Sequence, residues 1–407
     1  MLTRPEMRRA SSLYFVIGLM QASYLPFAGI VFRDRGVSFE AIGLIGAVNS
    51  MIALGAAPVW GHLGDAVLGR AAAFRLALIL AAVGVVIFAV GPLAGIPGAA
   101  IAAFAGAGLV PLLDSIGMEQ LAKVGGQWGP LRAITSFSYA AMCVFSGALV
   151  ALGGAIVIGP MYGLAALVVI AGTIGLQTAP ALHHAARPAR SEAIAEIERS
   201  EIAGTNAEIA VAGDWRDRFG TVNLAFQQSP GLFAFLALSL LVNLGAGLFY
   251  AYGSFRIQEV GGNAAAVAFA STVSAAVEIP FFLGGGLIAA RLGLRTLFSI
   301  GLVAMGICSI GYAVIATPFA LAIARSLVGV GFACTLLASV LTVRALVPAA
   351  LQATGQALYQ SVSFGLSVAV AALVGGIIYG ELGAAPLFLL SAAIMFGAIP
   401  FAWRVLR

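Results

Sequence analysis

Charge is scarce in this chain: Asp, Glu, Lys and Arg make up 9% of its 407 residues. Soluble domains carry about a quarter, so a water-exposed globular protein is excluded. Lys123 is the only lysine, and histidines number three, two of them adjacent at His183-His184. Two neighbouring histidines without further ligands describe a loop better than a metal site. Cys143, Cys308 and Cys334 fall in separate apolar runs, too far apart for a metal or redox motif, and read as small packing residues. No basic run interleaved with aromatics lies outside the apolar runs, so nucleic acid is not an expected partner. A phosphate loop, paired carboxylates at a membrane face and a nucleophile with its base are all missing. Enzyme chemistry and cofactors are therefore not expected, and an ion gradient is the expected energy source.

What the chain has instead is apolar length: 61% of residues are hydrophobic and the mean hydropathy is +1.05. A bilayer crossing needs about 20 apolar residues, and twelve such runs are legible, at about 11–32, 39–61, 73–91, 97–121, 131–152, 155–180, 229–253, 264–289, 296–315, 318–343, 350–379 and 385–404. Lipid offers backbone groups no partner, so all should be helices. The fold class expected is an all-α membrane protein. Pro26, Pro58, Pro111 and Pro280 mark kinks or close contacts within it. The first run follows Arg4, Arg8 and Arg9 like a secretory signal, but eleven later runs argue that it is a retained span.

The runs divide in two. Gly61 to Arg70 (GHLGDAVLGR) is answered 225 positions later by Gly286 to Arg295 (GLIAARLGLR), each between two apolar runs. At the same shift, Ser136-Phe137-Ser138-Tyr139 meets Ser361-Val362-Ser363-Phe364. Two pseudo-symmetric six-helix bundles follow, over 1–182 and 229–407, joined by a polar linker over 183–228. The linker carries Glu192, Glu196, Glu198, Glu201, Glu208, Asp214 and Asp217 against five arginines. It reads as a solvated connector, or as one in which Ile194, Ile197 and Ile202 give a weak helical face. Bases concentrate at one set of run ends, leaving Arg33, Arg35 and Arg256 on the other side. Both termini are therefore expected in the cytoplasm of an inner membrane.

The loop at Gly61, Asp65, Gly69 and Arg70 resembles the signature G-x-x-x-D-R-x-G-R-R of the major facilitator superfamily. It has one extra residue before the second glycine, and Ala66 stands in place of the usual base. The second copy, with Gly286, Arg291, Gly293 and Arg295, has Ala290 where the acid would be. The resemblance implies twelve helices in two halves. An acid at a helix end facing a neighbouring helix amino terminus, with arginines reaching carbonyls, would latch one of two rocking states. Asp65, Arg70, Arg291 and Arg295 are thus gating candidates, or simple positive-inside anchors.

Ionisable groups inside a span cost at least ~2.5–3.5 kcal/mol at its centre, so each requires a partner or a purpose. Asp114, Arg132, Glu278 and Arg325 stand out. Shifted by 225, they meet Ser339, Ala357, Ala53 and Ala100, so the duplicated scaffold does not demand them. Arg132, Ser136 and Tyr139 share one helix face. The stretch from Pro111 through Asp114 and Trp128 to Arg132 and Tyr139 resembles the lactose permease branch and its phenylpropionate and nucleoside symporter relatives. Val277 to Phe282 and Pro348 to Tyr359 resemble the latter two more closely. By that resemblance Asp114, Arg132 and Tyr139 bind substrate. The alternative is that Arg132 snorkels to the boundary and Asp114 neutralises it.

The histidine and glutamate of the lactose permease tenth helix have no counterpart between Arg325 and Gly331. Glu278 is the candidate proton carrier in their stead, because burial favours a neutral carboxyl group. Arg325 would approach it in one state and withdraw in the other, unless the two form a permanent salt bridge. Gln21, Asn243, Gln356 and Gln360, with Tyr24, Asn49, Tyr250 and Ser363, are candidate cavity polar groups or interhelical hydrogen bonders. A monomeric proton symporter importing a sugar, nucleoside or aromatic acid is the expectation. The competitors are a proton-driven exporter and a transport-dead sensor or assembly factor.

Overall fold

The computed structural model describes residues 5–124, 128–174, 215–348 and 351–406. The expectations for His183-His184 and for a helical face at Ile194 lie outside these residues. Every regular element described is helical.

In the first bundle, α1 (Pro5–Tyr24) and α2 (Ala28–Asp34) form one span, interrupted at Leu25-Pro26-Phe27. Proline cannot donate to the preceding turn, which accounts for the break. α3 (Phe39–His62) runs on into a π turn at Leu63–Val67. It is followed by α4 (Arg70–Val90), α5 (Pro92–Val124), α6 (Trp128–Gly153) and α7 (Ile158–Gly172). A helix, α8 (Trp215–Gln228), precedes the second bundle and buries Ala225 in its core. Then come α9 (Pro230–Glu259), α10 (Ala264–Leu292) and α11 (Leu294–Val314). A span broken at Arg325 follows, α12 (Pro318–Ala324) and α13 (Ser326–Leu346), then α14 (Gln352–Gln360), a π turn at Ser361–Leu366, α15 (Ser367–Leu382) and α16 (Ala384–Val405).

Among the described residues, eleven continuous stretches are long and apolar enough to cross a membrane. One of them, Leu131–Gly172, holds 42 residues, about 63 Å of helix at 1.5 Å per residue and twice the bilayer core. It turns at Gly154, where φ is +66°, in a 3-10 segment at Gly154–Val157. That turn separates α6 from α7 and gives twelve crossings.

The duplication is visible as packing. In the first bundle α4 packs on α5 and α7, α1 on α6 and α7, and α3 on α5. In the second, α11 packs on α13 and α16, α9 on α15 and α16, and α10 on α13, pair for pair. The caps repeat too. Ser38 accepts a hydrogen bond from the Ala41 amide, and Asn263, 225 positions on, accepts one from the Ala266 amide. At the opposite helix ends the left-handed glycines Gly69 (φ 79°) and Gly293 (φ 75°) correspond, a shift of 224. The π turn at Leu63–Val67 absorbs the odd residue. A constant shift of 225 therefore fails beyond this loop, and the extra residue before Gly69 is the π turn itself. At a shift of 224, Asp114 and Arg325 meet Ala338 and Ile101, again uncharged.

The bundles meet along α6 with α10 and along α3 with α15. Contact is tight on the side away from the termini. A Cβ at Gly43 would lie 2.5 Å from the Ala372 carbonyl oxygen and 3.1 Å from Gly376 Cα, and one at Gly147 would overlap Ala268. Thr272 donates to the Ala140 carbonyl at 3.0 Å across the same seam. On the terminal side, a Cβ at Gly55, Gly61 or Gly286 would meet nothing within 4 Å. The halves are thus in close contact on the far side, while these terminal-side glycines face open space. Arg35 secures the far side by donating to the carbonyls of Phe88, Ala89 and Gly91 at the end of α4. Arg256 does the same for Tyr312 and Ile315 at the end of α11.

Candidate functional site

A cavity of about 380 Å³ lies between the bundles, with walls from both. From α6 come Arg132, Thr135, Ser136 and Tyr139, spaced i, i+3, i+4 and i+7, so that one helix turn after another points the same way. α10 offers Ser271, Ser274 and Glu278 on an equivalent face. α9 adds Tyr250 and Ser254, α1 adds Gln21, and the break after it adds Leu25 and Pro26. Arg325 enters from the break in the tenth span, where neither proline nor glycine interrupts the helix.

The polar groups are under-partnered. Ser136 Oγ donates to Glu278 Oε2 at 3.5 Å, a long hydrogen bond and a direct polar bridge between the bundles. Neither Arg132 nor Arg325 is ion-paired with Glu278 among the described residues, so the permanent Glu278–Arg325 salt bridge is absent in this conformation. Arg325 is 8% exposed, and its Nε and Nη1 make no well-aligned hydrogen bond; the Tyr312 hydroxyl lies beside the guanidinium without the geometry of one. Its guanidinium carbon sits 5.7 Å from the Phe249 ring centre. Gly253 leaves room beside it, since a Cβ there would lie 3.4 Å from Nη1.

A second chamber of about 270 Å³ shares Tyr250 and Phe332 with the first. Its walls are mostly apolar, including Val242, Ala246, Met305 and Phe364, with Asn243 among the few polar groups.

Of the residues singled out from sequence, Gln21, Arg132, Ser136, Tyr139, Glu278 and Arg325 gather in the first chamber and Asn243 in the second. Asp114 does not line either. Its Oδ1 accepts a hydrogen bond from the Tyr14 hydroxyl at 2.5 Å, and no ion pair joins it to Arg132. Gln356 is turned away, donating to the Val340 carbonyl at 3.1 Å, and Gln360 and Ser363 also lie outside the linings. Tyr24 packs instead edge-on against Phe88 and Tyr162. Asp65 pairs with Arg70 at 3.1 Å within its own loop rather than across the bundles. Arg295 donates to the Leu406 carbonyl and covers Trp403, and Arg291 is exposed. Sequence reasoning passed over Thr135, Ser254, Ser271, Ser274 and Phe332. Ser271, Ser274 and Glu278 at i, i+3 and i+7 were the available signal.

The sequence matches the family described as the MFS_1 like family over residues 7–390. No curated protein matches it. Among solved structures, the nucleoside transporter NupG is similar in fold, with a TM-score of 0.74 at 16% identity over 99% of both chains. A D-xylose-proton symporter superposes with a TM-score of 0.71 at 13% identity, over 98% of this chain and 97% of that one. The POT family transporter PepTSo follows with a TM-score of 0.70 at 12% identity, over 98% and 97%. A family match across most of the chain, on a fold with its cavity between two related bundles, makes this multi-pass membrane protein a transporter rather than an enzyme and a member of the MFS_1 like family.

Proposed function

We propose that the protein is a proton-coupled symporter of the inner membrane that imports a small polar organic solute by alternating access. The observation that carries this reading is the cavity wall itself. Arg132 and Ser136 stand on one bundle and Glu278 and Arg325 on the other, with only a 3.5 Å hydrogen bond between them. A solute gripped by both bundles binds the closed and parted arrangements with different free energy, which is what moves a two-state equilibrium. Glu278 is the group that takes and releases the proton. Its single weak partner, Ser136, belongs to the opposite bundle, so rocking changes its surroundings. With the basic, terminal side in the cytoplasm, the conformation described faces inward. Asp114 is assigned to holding α1 against α5 through Tyr14 rather than to the solute.

The test is uptake into proteoliposomes under an imposed pH gradient, screened over sugars, nucleosides and organic acids. Accumulation driven by an acidic exterior and lost in Arg132→Gln supports the reading. Equal accumulation by Arg132→Gln, or efflux as the only productive direction, rejects it.

A further inference from the structure

We propose, building on the transport reading above, that the solute is an organic carboxylate with an apolar body. Its anionic group would dock between Arg132 and Arg325 and its body would enter the second chamber. Three observations carry this. The first is the unbalanced charge. Two guanidiniums and a single carboxyl group line one cavity, and neither arginine is ion-paired among the described residues. The second is the state of Arg325, which is 8% exposed, has no carboxylate partner, and keeps two nitrogens without a well-aligned hydrogen bond. A buried guanidinium left this way is costly. An arriving carboxylate supplies the missing acceptor, in the planar two-oxygen form that a guanidinium matches best. A sugar or nucleoside hydroxyl would satisfy hydrogen bonds but leave the charge uncompensated. The third is the adjoining chamber, apolar on most of its wall and sharing Tyr250 and Phe332 with the first. Such a wall rewards an apolar or aromatic body and penalises a polyhydroxylated one.

The arrangement also places the anion between the bundles, Arg132 on α6 and Arg325 in the tenth span. Charge pairing with both would draw the halves together over the solute. Glu278, on the same wall, would be repelled by the incoming carboxylate unless protonated, so that proton and anion enter the site together and leave it together.

The experiment compares acids with their uncharged amides on the purified full-length protein: benzoate with benzamide, phenylacetate with phenylacetamide, and hexanoate with hexanamide. Uridine and D-xylose serve as neutral polar probes. Binding is read by thermal shift and by titration calorimetry at fixed pH. At least one acid should bind about 10-fold or more tightly than its amide, as a charge-assisted pair to guanidinium predicts. That preference should fall to near unity in Arg325→Gln and in Arg132→Gln. Glu278→Gln should keep it or increase it, because the competing carboxylate is gone. Amides that bind as well as acids, or uridine or D-xylose stabilising the protein where no acid does, overturn the inference and leave the transport reading standing. An acid preference that survives both arginine substitutions overturns the assigned place of the anion. The comparison within the unsubstituted protein decides the substrate class even if a variant fails to fold. Acids that bind with the expected preference but are never moved by proteoliposomes would count against transport and not against the anion site.

Discussion

Gly43→Ala should push the transporter toward opening on its far side. The added Cβ would stand 2.5 Å from the Ala372 carbonyl oxygen, 2.9 Å from the Tyr252 hydroxyl and 3.1 Å from Gly376 Cα. Ordinary contact begins at about 3.5 Å, so α3 and α15 must part by roughly 1 Å where the bundles are closest. Two of these three atoms are backbone and cannot swing aside. Overpacking of this kind costs about 1–3 kcal/mol, and it falls only on the state in which the far side is closed. The better helix propensity of alanine acts on α3 in both states and cancels. A bias of that size shifts a two-state ratio about 5- to 150-fold. Spin labels on Leu152→Cys at the end of α6 and Leu382→Cys at the end of α15 report the far-side gap. Both positions are well exposed, at 88% and 65%, and Cys143, Cys308 and Cys334 are buried away from the label. Gly43→Ala should populate a longer distance and slow transport, whereas Gly163→Ala, whose Cβ meets nothing within 4 Å, should do neither. An unchanged distance distribution together with unchanged transport would show that this seam is not what closes the far side.

Other perturbations separate structure from site. Tyr14→Phe removes the hydroxyl that Asp114 accepts and should destabilise the protein by about 1.5–3 kcal/mol. Solute affinity should stay unchanged, and a collapse of binding without loss of stability would return Asp114 to the site. Asp65→Asn breaks a pair whose side chains are 34% and 56% exposed, so thermal stability should change by less than about 1 kcal/mol; a larger drop would mean that the pair works as a structural clasp. Arg35→Ala leaves three carbonyls at the end of α4 without their donor and should lower the melting temperature clearly more than Asp65→Asn does. Equal effects would refute the capping role.

The twelve crossings were legible because hydropathy alone locates a membrane helix. The pairing of the halves was legible in the repeat of Gly61 to Arg70 at Gly286 to Arg295, and the structure adds repeated caps, Ser38 with Asn263 and Gly69 with Gly293. What a fixed register hid was the π turn before Gly69, since an inserted residue inside a helix leaves hydropathy untouched. Within the site, Arg132, Ser136, Tyr139 and Glu278 could be found because charge or one-face spacing is rare in oil. Asp114 and Gln356 were drawn to the same cavity by the same rarity. Their side chains are instead engaged by Tyr14 and by the Val340 carbonyl. Spacing fixes the face of a helix but not which neighbour that face meets. The break at Arg325 has no proline or glycine to announce it, and the serines of α10 carry no charge to draw the eye.

The central claim, that Glu278 couples proton movement to the passage of solute between the bundles, is tested most directly by Glu278→Gln in proteoliposomes. The substitution keeps the shape of the side chain and its contact with Ser136 but removes the exchangeable proton. Solute exchange down or across equal concentrations should continue, while uphill accumulation under a pH gradient should vanish. Accumulation against the gradient by the Glu278→Gln protein would contradict the account.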